Sequence, residues 1–163
     1  MHSNKPGPLS EMGLRLGLFG FNLGTREALI WDEGNVRFSM TSVKGLGDAV
    51  VGVLRNPEAT ADKYLLASSL TVSQNEILDA LEKVTESKWT VKRTTTSEQL
   101  EKGRSLLAAG DPTGAFALIS AGYWGNVPGI EHAYDGEGTS SSELLGVAPE
   151  SIEETINKAL GNS

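Results

Sequence analysis

The side chains best suited to chemistry in this sequence are few and loosely grouped. His132 stands beside Glu131 and near Asp135. An imidazole titrates near neutrality, so with two carboxylates it could relay a proton or join a metal site. A solvated loop histidine would show the same neighbours and use none of them. Ser39 and Thr41 sit at the end of a β-prone run, where a hydroxyl could bind a ligand. Thr41 or Ser42 serves equally well to turn the chain or cap a following helix. Glu150, Glu153 and Glu154 gather at a helix start, which the helix dipole favours, and read as a solvated helix end, not a metal site. His2, in a polar lead-in, is read as inert. There is no cysteine, which excludes disulfides, thiolate metal ligands and a cysteine nucleophile. No Ser-His-Asp spacing is defensible.

These residues must be positioned by a chain whose local signals are clearer than its chemistry. Residues 1–10 are polar, with Pro6, Gly7 and Pro8, and read as a disordered lead-in to one domain over 11–163. Residues 12–21 are apolar but broken by Gly13, Gly17 and Gly20, and read as an irregular segment against a pocket. Residues 27–31 and 36–40 are β-prone, and Asp32-Glu33-Gly34-Asn35 between them predicts a hairpin. Ser42 precedes Val43, Leu46, Val50, Val51 and Leu54 at helical spacing, a helix that should end before Asn56-Pro57. Gly45, Gly47 and Gly52 weaken it and permit close approach to a neighbour.

Residues 63–67 read as a short buried strand, followed by Thr71-Val72. Ser73-Gln74-Asn75-Glu76 is a capping box opening a helix with Ile77, Leu78, Leu81 and Val84 on one face. Residues 89–94 alternate as a strand does. Thr96 or Ser97 caps the next helix, with Leu100, Leu106 and Leu107. Asp111 caps, and Pro112 begins, another that runs through Phe116, Leu118 and Ile119 to Tyr123-Trp124. A polar loop spans 125–142, residues 143–146 form a short element, and Ala148-Pro149-Glu150-Ser151 opens a last helix with Ile152, Ile156 and Leu160. Four or five helices with four or five scattered short strands make an α and β mixture, too thin in strands for a free-standing sheet.

Composition bounds the function. The length of 163 residues fits one domain. An apolar share of 39% and a charged share of 21% are ordinary for a globular protein. A net charge of -7 opposes binding to phosphate backbones, so no nucleic-acid partner is expected. No run of about 18 apolar residues exists to span a membrane. Without an apolar leader or cysteines, a cytoplasmic location is expected.

Two runs go further. They are Phe38-Ser39-Met40-Thr41-Ser42-Val43-Lys44-Gly45-Leu46-Gly47 and Tyr64-Leu65-Leu66-Ala67-Ser68-Ser69-Leu70-Thr71-Val72-Ser73-Gln74-Asn75-Glu76-Ile77. Followed in order by Trp89-Thr90-Val91, Ala121-Gly122-Tyr123-Trp124-Gly125 and Glu143-Leu144-Leu145-Gly146, they resemble the C-terminal, substrate-side portion of NmrA-like and isoflavone-reductase-like NAD(P)-binding proteins. The likeness covers roughly residues 11–160 and is nearest to the fungal members. It implies an α/β fold (α+β in isolation), a truncated, atypical short-chain-dehydrogenase fold without its N-terminal Rossmann βαβ units. It implies a parent enzyme that moves hydride between NADPH and a small aromatic or apolar molecule. It also places Phe19, Phe21, Phe116, Tyr123 and Trp124 in segments that face the family's substrate cleft, although core packing accounts for each of them as well.

The departures limit what is carried over. A full-length member opens with a strand, a Gly-x-x-Gly-x-x-Gly loop and a helix that seats the pyrophosphate. Gly13, Gly17 and Gly20 have the wrong spacing and no preceding strand. The family's catalytic lysine, where present, lies upstream of the region covered. Neither Tyr64, Tyr123 nor Tyr134 has a lysine four places on. NADP(H) is therefore implied by the resemblance alone, no catalytic, cofactor-binding or metal residue is assigned, and the chain is expected to be incomplete and inactive by itself. A non-catalytic regulatory, dinucleotide-sensing or interaction module is the alternative. An exposed apolar split face would favour association.

Overall fold

The computed structural model describes residues 3–6, 9–130, 132–134 and 140–162; His2, Glu131 and Asp135 lie outside them. In chain order the elements are β1 (Ser3–Pro6), α1 (Ser10–Arg15), β2 (Phe21–Asn22), β3 (Glu27–Trp31), β4 (Phe38–Met40), α2 (Val43–Arg55), α3 (Pro57–Thr60) and β5 (Tyr64–Ala67). They continue as β6 (Leu70–Val72), α4 (Gln74–Thr85), β7 (Thr90–Thr94), α5 (Thr96–Ala108), α6 (Gly114–Trp124), α7 (Ser142–Leu145) and α8 (Ile152–Leu160). The described strands form three small sheets. β1 pairs with β5 in parallel, β3 lies between antiparallel β2 and parallel β7, and β4 pairs antiparallel with β6.

The hairpin expected from residues 27–40 does not form. β3 has both edges occupied, so β4 turns away to β6. On one edge β7 runs the full length of β3, from Glu27 opposite Thr90 to Trp31 opposite Thr94. On the other, β2 covers only Glu27 and Ala28, after which Leu29 N donates to Gly20 O at 2.7 Å. The buried Gln74 amide then takes over. Its Oε1 accepts from Trp31 N at 2.8 Å and its Nε2 donates to Leu29 O at 3.1 Å and Phe19 O at 2.9 Å. The turn after β3 is held from α4 as well: Asn75 Nδ2 donates to Glu33 O at 2.8 Å and to Asn35 Oδ1 at 2.7 Å. Gly34 supplies the left-handed φ of 73° that this turn needs.

The helix starts are set by local hydrogen bonds. Ser73 and Glu76 form the expected capping box, and Ser151 with Glu154 forms another at α8. α5 is capped by Thr95, with Glu98 reaching back, and not by Thr96 or Ser97. α6 begins at Gly114, because Asp111 Oδ1 accepts from both Thr113 N (2.9 Å) and Thr113 Oγ1 (2.6 Å) and closes a turn before the helix. One further expectation is corrected. Ser3–Pro6, inside the stretch read as disordered, lie parallel to β5, which has an edge no other described strand takes. The strand read at residues 89–94 forms as β7; it is exposed from Thr90 to Arg93 and meets the fold through its β3 edge, while neighbouring Trp89 buries its ring.

α2 inverts its expected polarity. Its buried face is Gly45, Ala49 and Gly52, while Val43, Val50, Val51 and Leu54 point outward. Small residues are required on the inner side: a Cβ at Gly52 would overlap the Leu145 backbone, and one at Gly45 would overlap Ser69 Oγ. The main core gathers Phe19, Phe38, Met40, Ile77, Leu81, Trp124 and Ile156. A second, smaller cluster holds Ala49, Leu65, Ala67, Leu145 and Val147.

These contacts separate two neighbouring glycines of one helix. Gly47 has nothing near its would-be Cβ, so Gly47→Ala should stabilise the protein by about 0.5–1 kcal/mol through helix propensity. Gly52→Ala should destabilise it by about 1–3 kcal/mol by forcing α7 away. Urea unfolding midpoints of the two variants measure this directly; a rise in both would mean that α7 does not sit against α2.

Candidate functional site

The end of β3, the start of β4, the end of α6 and the turn after α1 bring five aromatic rings together. The Trp124 ring lies 5.6 Å from Phe19 edge-on, 5.6 Å from Phe38 and 6.3 Å from Trp31 between ring centres. Tyr123 stacks on Trp124 at 6.0 Å and 21°. Edge and offset geometries of this kind suit the ring quadrupoles. Trp124 is 4% exposed, and among the described residues its indole Nε1 has no hydrogen-bond acceptor. A buried N–H left without a partner costs roughly 1–3 kcal/mol.

Asp32 fixes the cluster's position. It follows β3 with a left-handed φ of 50°. Its carboxylate accepts from Thr96 N at 2.9 Å, from Thr96 Oγ1 at 2.5 Å and from Asn126 N at 3.4 Å. Thr96 Oγ1 in turn accepts from Asn126 N at 2.9 Å. One carboxylate thus ties the end of β3, the start of α5 and the exit of α6 into a fixed triangle beside Trp31 and Trp124. Partial burial opposes ionisation of Asp32, but the hydrogen bonds from the Thr96 hydroxyl and amide and from the Asn126 amide outweigh it and hold the carboxyl below its usual range. Sequence reading did not single out Asp32, Thr96, Trp31 or Phe38. An acid two places before a glycine looks like a turn residue, and nothing local shows that it reaches a helix start 64 positions away.

The sequence candidates fall in different places. Phe19 and Trp124 meet in the core, with Tyr123 against them. Phe21 packs elsewhere, edge-on to Trp89 at 6.2 Å, and lines an open cleft of about 550 Å³ with Leu23, Leu29, Arg15, Glu27 and Lys92. Phe116 is 61% exposed on α6. Ser39 Oγ accepts from Tyr134 N at 2.8 Å and meets Thr71 Oγ1 at 2.7 Å; Thr41 Oγ1 donates to Ala67 O at 2.8 Å. Ser42 caps α2 through Gly45 N at 2.9 Å, as one of the sequence alternatives has it. His132 Nδ1 donates to Gly122 O at 3.1 Å. Glu150 departs from the solvated role read for it: it accepts from Ser42 Oγ at 2.5 Å and pairs with Lys158 at 2.7 Å. Among the described residues no group of three or more His, Asp or Glu side chains is placed to hold a metal, and no helix is long and apolar enough to cross a membrane.

A dinucleotide does not fit the glycines of residues 13–20. A Cβ at Gly13 would overlap the Phe19 ring, and one at Gly20 would overlap Leu29 O. These glycines admit protein atoms, and the turn they form joins α1 to β2 instead of leading from a strand into a helix.

Known proteins similar to this chain include the oxidoreductase poxI of Penicillium oxalicum, 33% identical over 153 residues, which are 94% of this chain and 49% of that protein. The oxidoreductase aprR of Aspergillus flavus is 33% identical over 154 residues, 94% of this chain and 51% of that protein. The chain spans about half the length of the relatives it matches. Among solved structures it resembles the Citrobacter sp. triphenylmethane reductase complexed with NADP(H), with a TM-score of 0.57, 17% identity, 95% of this chain and 51% of that one. It also resembles a nucleoside-diphosphate-sugar epimerase from Staphylococcus aureus, with a TM-score of 0.58, 16% identity, 90% of this chain and 48% of that one. The chain shares the fold of part of these reductase and epimerase structures. No family model matches it.

The Asp32 triangle has a pH signature. A carboxyl whose folded pKa is depressed contributes stability above its unfolded pKa of about 3.9 and loses it as pH falls through the lower folded value. Asp32→Asn should therefore destabilise the protein by about 1 kcal/mol at neutral pH. The gap to wild type should shrink in increasingly acidic buffer. Unfolding midpoints of both proteins across that range are the test, and a gap independent of pH would contradict the role given to Asp32.

Proposed function

We propose that this chain is the substrate-side portion of an NAD(P)H-dependent oxidoreductase acting on a small aromatic or apolar molecule. The observation that carries this reading is the Trp124 indole N–H, buried among Phe19, Phe38, Trp31 and Tyr123 without an acceptor among the described residues. An aromatic wall with one fixed donor suits a flat ligand that carries a carbonyl or hydroxyl oxygen. The fungal oxidoreductases among its relatives, and the reductase complexed with NADP(H) among its structural neighbours, support the same direction. In this reading the nicotinamide nucleotide supplies the hydride and is held by residues outside this chain. The residues here orient the acceptor molecule and exclude water from it.

A second reading, a non-catalytic sensing or interaction module, draws on the carboxylates. Glu11, Glu27, Asp32, Glu76, Glu82, Glu98, Asp111, Glu153 and Glu154 all have lowered pKa values. Each is held by a helix cap, a turn or a lysine partner within the fold, which is structural work.

Trp124→Phe separates ligand binding from packing. It keeps an aromatic ring but removes the donor and part of the indole's volume. Its thermal midpoint should fall only slightly, because relief of the unpaired N–H offsets part of the lost packing. Its affinity for acetophenone, followed by tryptophan fluorescence, should fall about five- to tenfold. Equal affinities would remove Trp124 from the site. With the ligand bound, NADPH consumption after addition of the missing portion decides between catalysis and sensing.

A further inference from the structure

We infer that the cleft between the turn after α1 and the β2–β3 pair binds a small organic monocarboxylate, with its apolar body against Phe21, Leu23 and Leu29 and its carboxylate on Arg15. None of the five rings around Trp124 lines this cleft. It is a site apart from the one proposed for the reacting molecule, and neither depends on the other.

The cleft encloses about 550 Å³, within the range of small-molecule pockets. Its floor is apolar. Phe21 is buried there and meets Trp89 edge-on at 6.2 Å, while Leu23 and Leu29 are half-buried. Leu16, on the rim, leaves 64% of its surface in water. An apolar ligand body that covers it removes that surface from solvent. The walls are already fixed. Gly20 O accepts from Leu29 N at 2.7 Å, and Asn22 Oδ1 accepts from both Gly24 N and Thr25 N at 3.0 Å. A ligand entering such a hollow has little of the protein left to order.

The charges on the rim select an anion. Lys92 pairs with Glu27 at 2.6 Å, so these two cancel. Arg15 has no carboxylate partner among the described residues. Its Nε donates to Ala159 O at 3.1 Å and its Nη2 to Lys158 O at 2.5 Å, both near the end of α8. The guanidinium is thereby held in one orientation, with Nη1 unbonded to any described residue. A long side chain that is already ordered loses less freedom on binding. What the cleft offers is one fixed cation beside an apolar floor. A carboxylate meets both the charge and the remaining N–H donors. A phosphate ester would bring a second negative charge with no partner. The chain's net charge of -7 opposes an anion only weakly, because distant acids are screened over about 8 Å at physiological salt.

The probe is 2-naphthoate at neutral pH, with 2-naphthalenemethanol as its uncharged counterpart. Gly17, Gly20 and Gly24 line the cleft, and Gly47 and Gly110 do not. The glycine region of an amide NMR spectrum therefore reports where a ligand sits. Naphthoate should shift the three cleft glycines in a saturable way and leave Gly47 and Gly110 in place. The alcohol should act on the same glycines with an affinity about five- to tenfold lower. Absence of saturable shifts at millimolar naphthoate, shifts centred elsewhere, or equal affinity for the two probes overturns the proposal.

Arg15→Gln should bring naphthoate down to the affinity of the alcohol and leave the alcohol unchanged. A preference for naphthoate that survives in this variant would contradict the role given to Arg15. Because Arg15 also ties α1 to α8, a second variant avoids that tether. Leu16→Glu sets a carboxylate on the exposed rim, where little packing is lost. It should weaken naphthoate at least about fivefold, through repulsion between like charges, with a smaller change for the alcohol. An equal loss for both probes would mean that the rim acts through its apolar surface alone, and the anion site would be ruled out. Neither readout depends on turnover or on Trp124, so the oxidoreductase reading stands or falls separately.

Discussion

One side-chain amide holds the arrangement on which the rest depends. Gln74 is buried at the start of α4 and makes three hydrogen bonds to backbone groups of other elements: Trp31 N, Leu29 O and Phe19 O. It does for the far half of β3 what a longer β2 would otherwise do. Buried backbone groups must be paired, and a strand edge paired by a side chain does not need another strand. That frees the chain after β3 to leave the sheet. It also pins Phe19 and Trp31 to one point, and these are two of the rings that surround Trp124.

From that point the structure divides unequally. On one side lies the aromatic core, closed by the Asp32 triangle and by α4 and α8. Its position is fixed by the hydrogen bonds of Gln74 and Asp32 to backbone groups of other elements. On the other side lies α2 with β5 and α7, joined through glycines and alanines and presenting large side chains to the outside. Core and face differ because different side chains meet there. Aromatic rings fill space by themselves, whereas small residues permit contact between backbones and displace the bulky ones outward.

How much of this was legible in the sequence follows from the range of the interactions. The capping box of Ser73 and Glu76, the start of α2 at Ser42 and its end before Asn56 are made by residues within a turn of one another, and the pattern alone identifies them. The placing of Trp124 beside Phe19 was partly legible, since both lay among the aromatic candidates. Phe116, an equally good candidate by type, stands in solvent because α6 turns its Gly114 and Ala121 sides inward. The hairpin failed for a non-local reason. Asp32-Glu33-Gly34-Asn35 is sound turn chemistry, but Gln74 and β7, both more than 40 positions from β3, had already claimed the edges that a hairpin would have used. The Asp32 triangle was invisible for the same cause.

The glycines show why residue type alone misleads about function. Three glycines within eight residues could open a backbone to a phosphate, or could admit a side chain. Here Gly13 lies against the Phe19 ring and Gly20 lets the turn meet Leu29 O, the same carbonyl that Gln74 reaches. The space opened by the missing Cβ atoms is filled by an aromatic ring and a peptide group. Those glycines therefore serve the aromatic core: they let Phe19 fold back under α1 until its edge meets Trp124. A substitution that restored a Cβ at Gly13 would expel Phe19 and disturb the packing around Trp124. Glycines whose spacing already argued against a phosphate loop are part of the packing of the core.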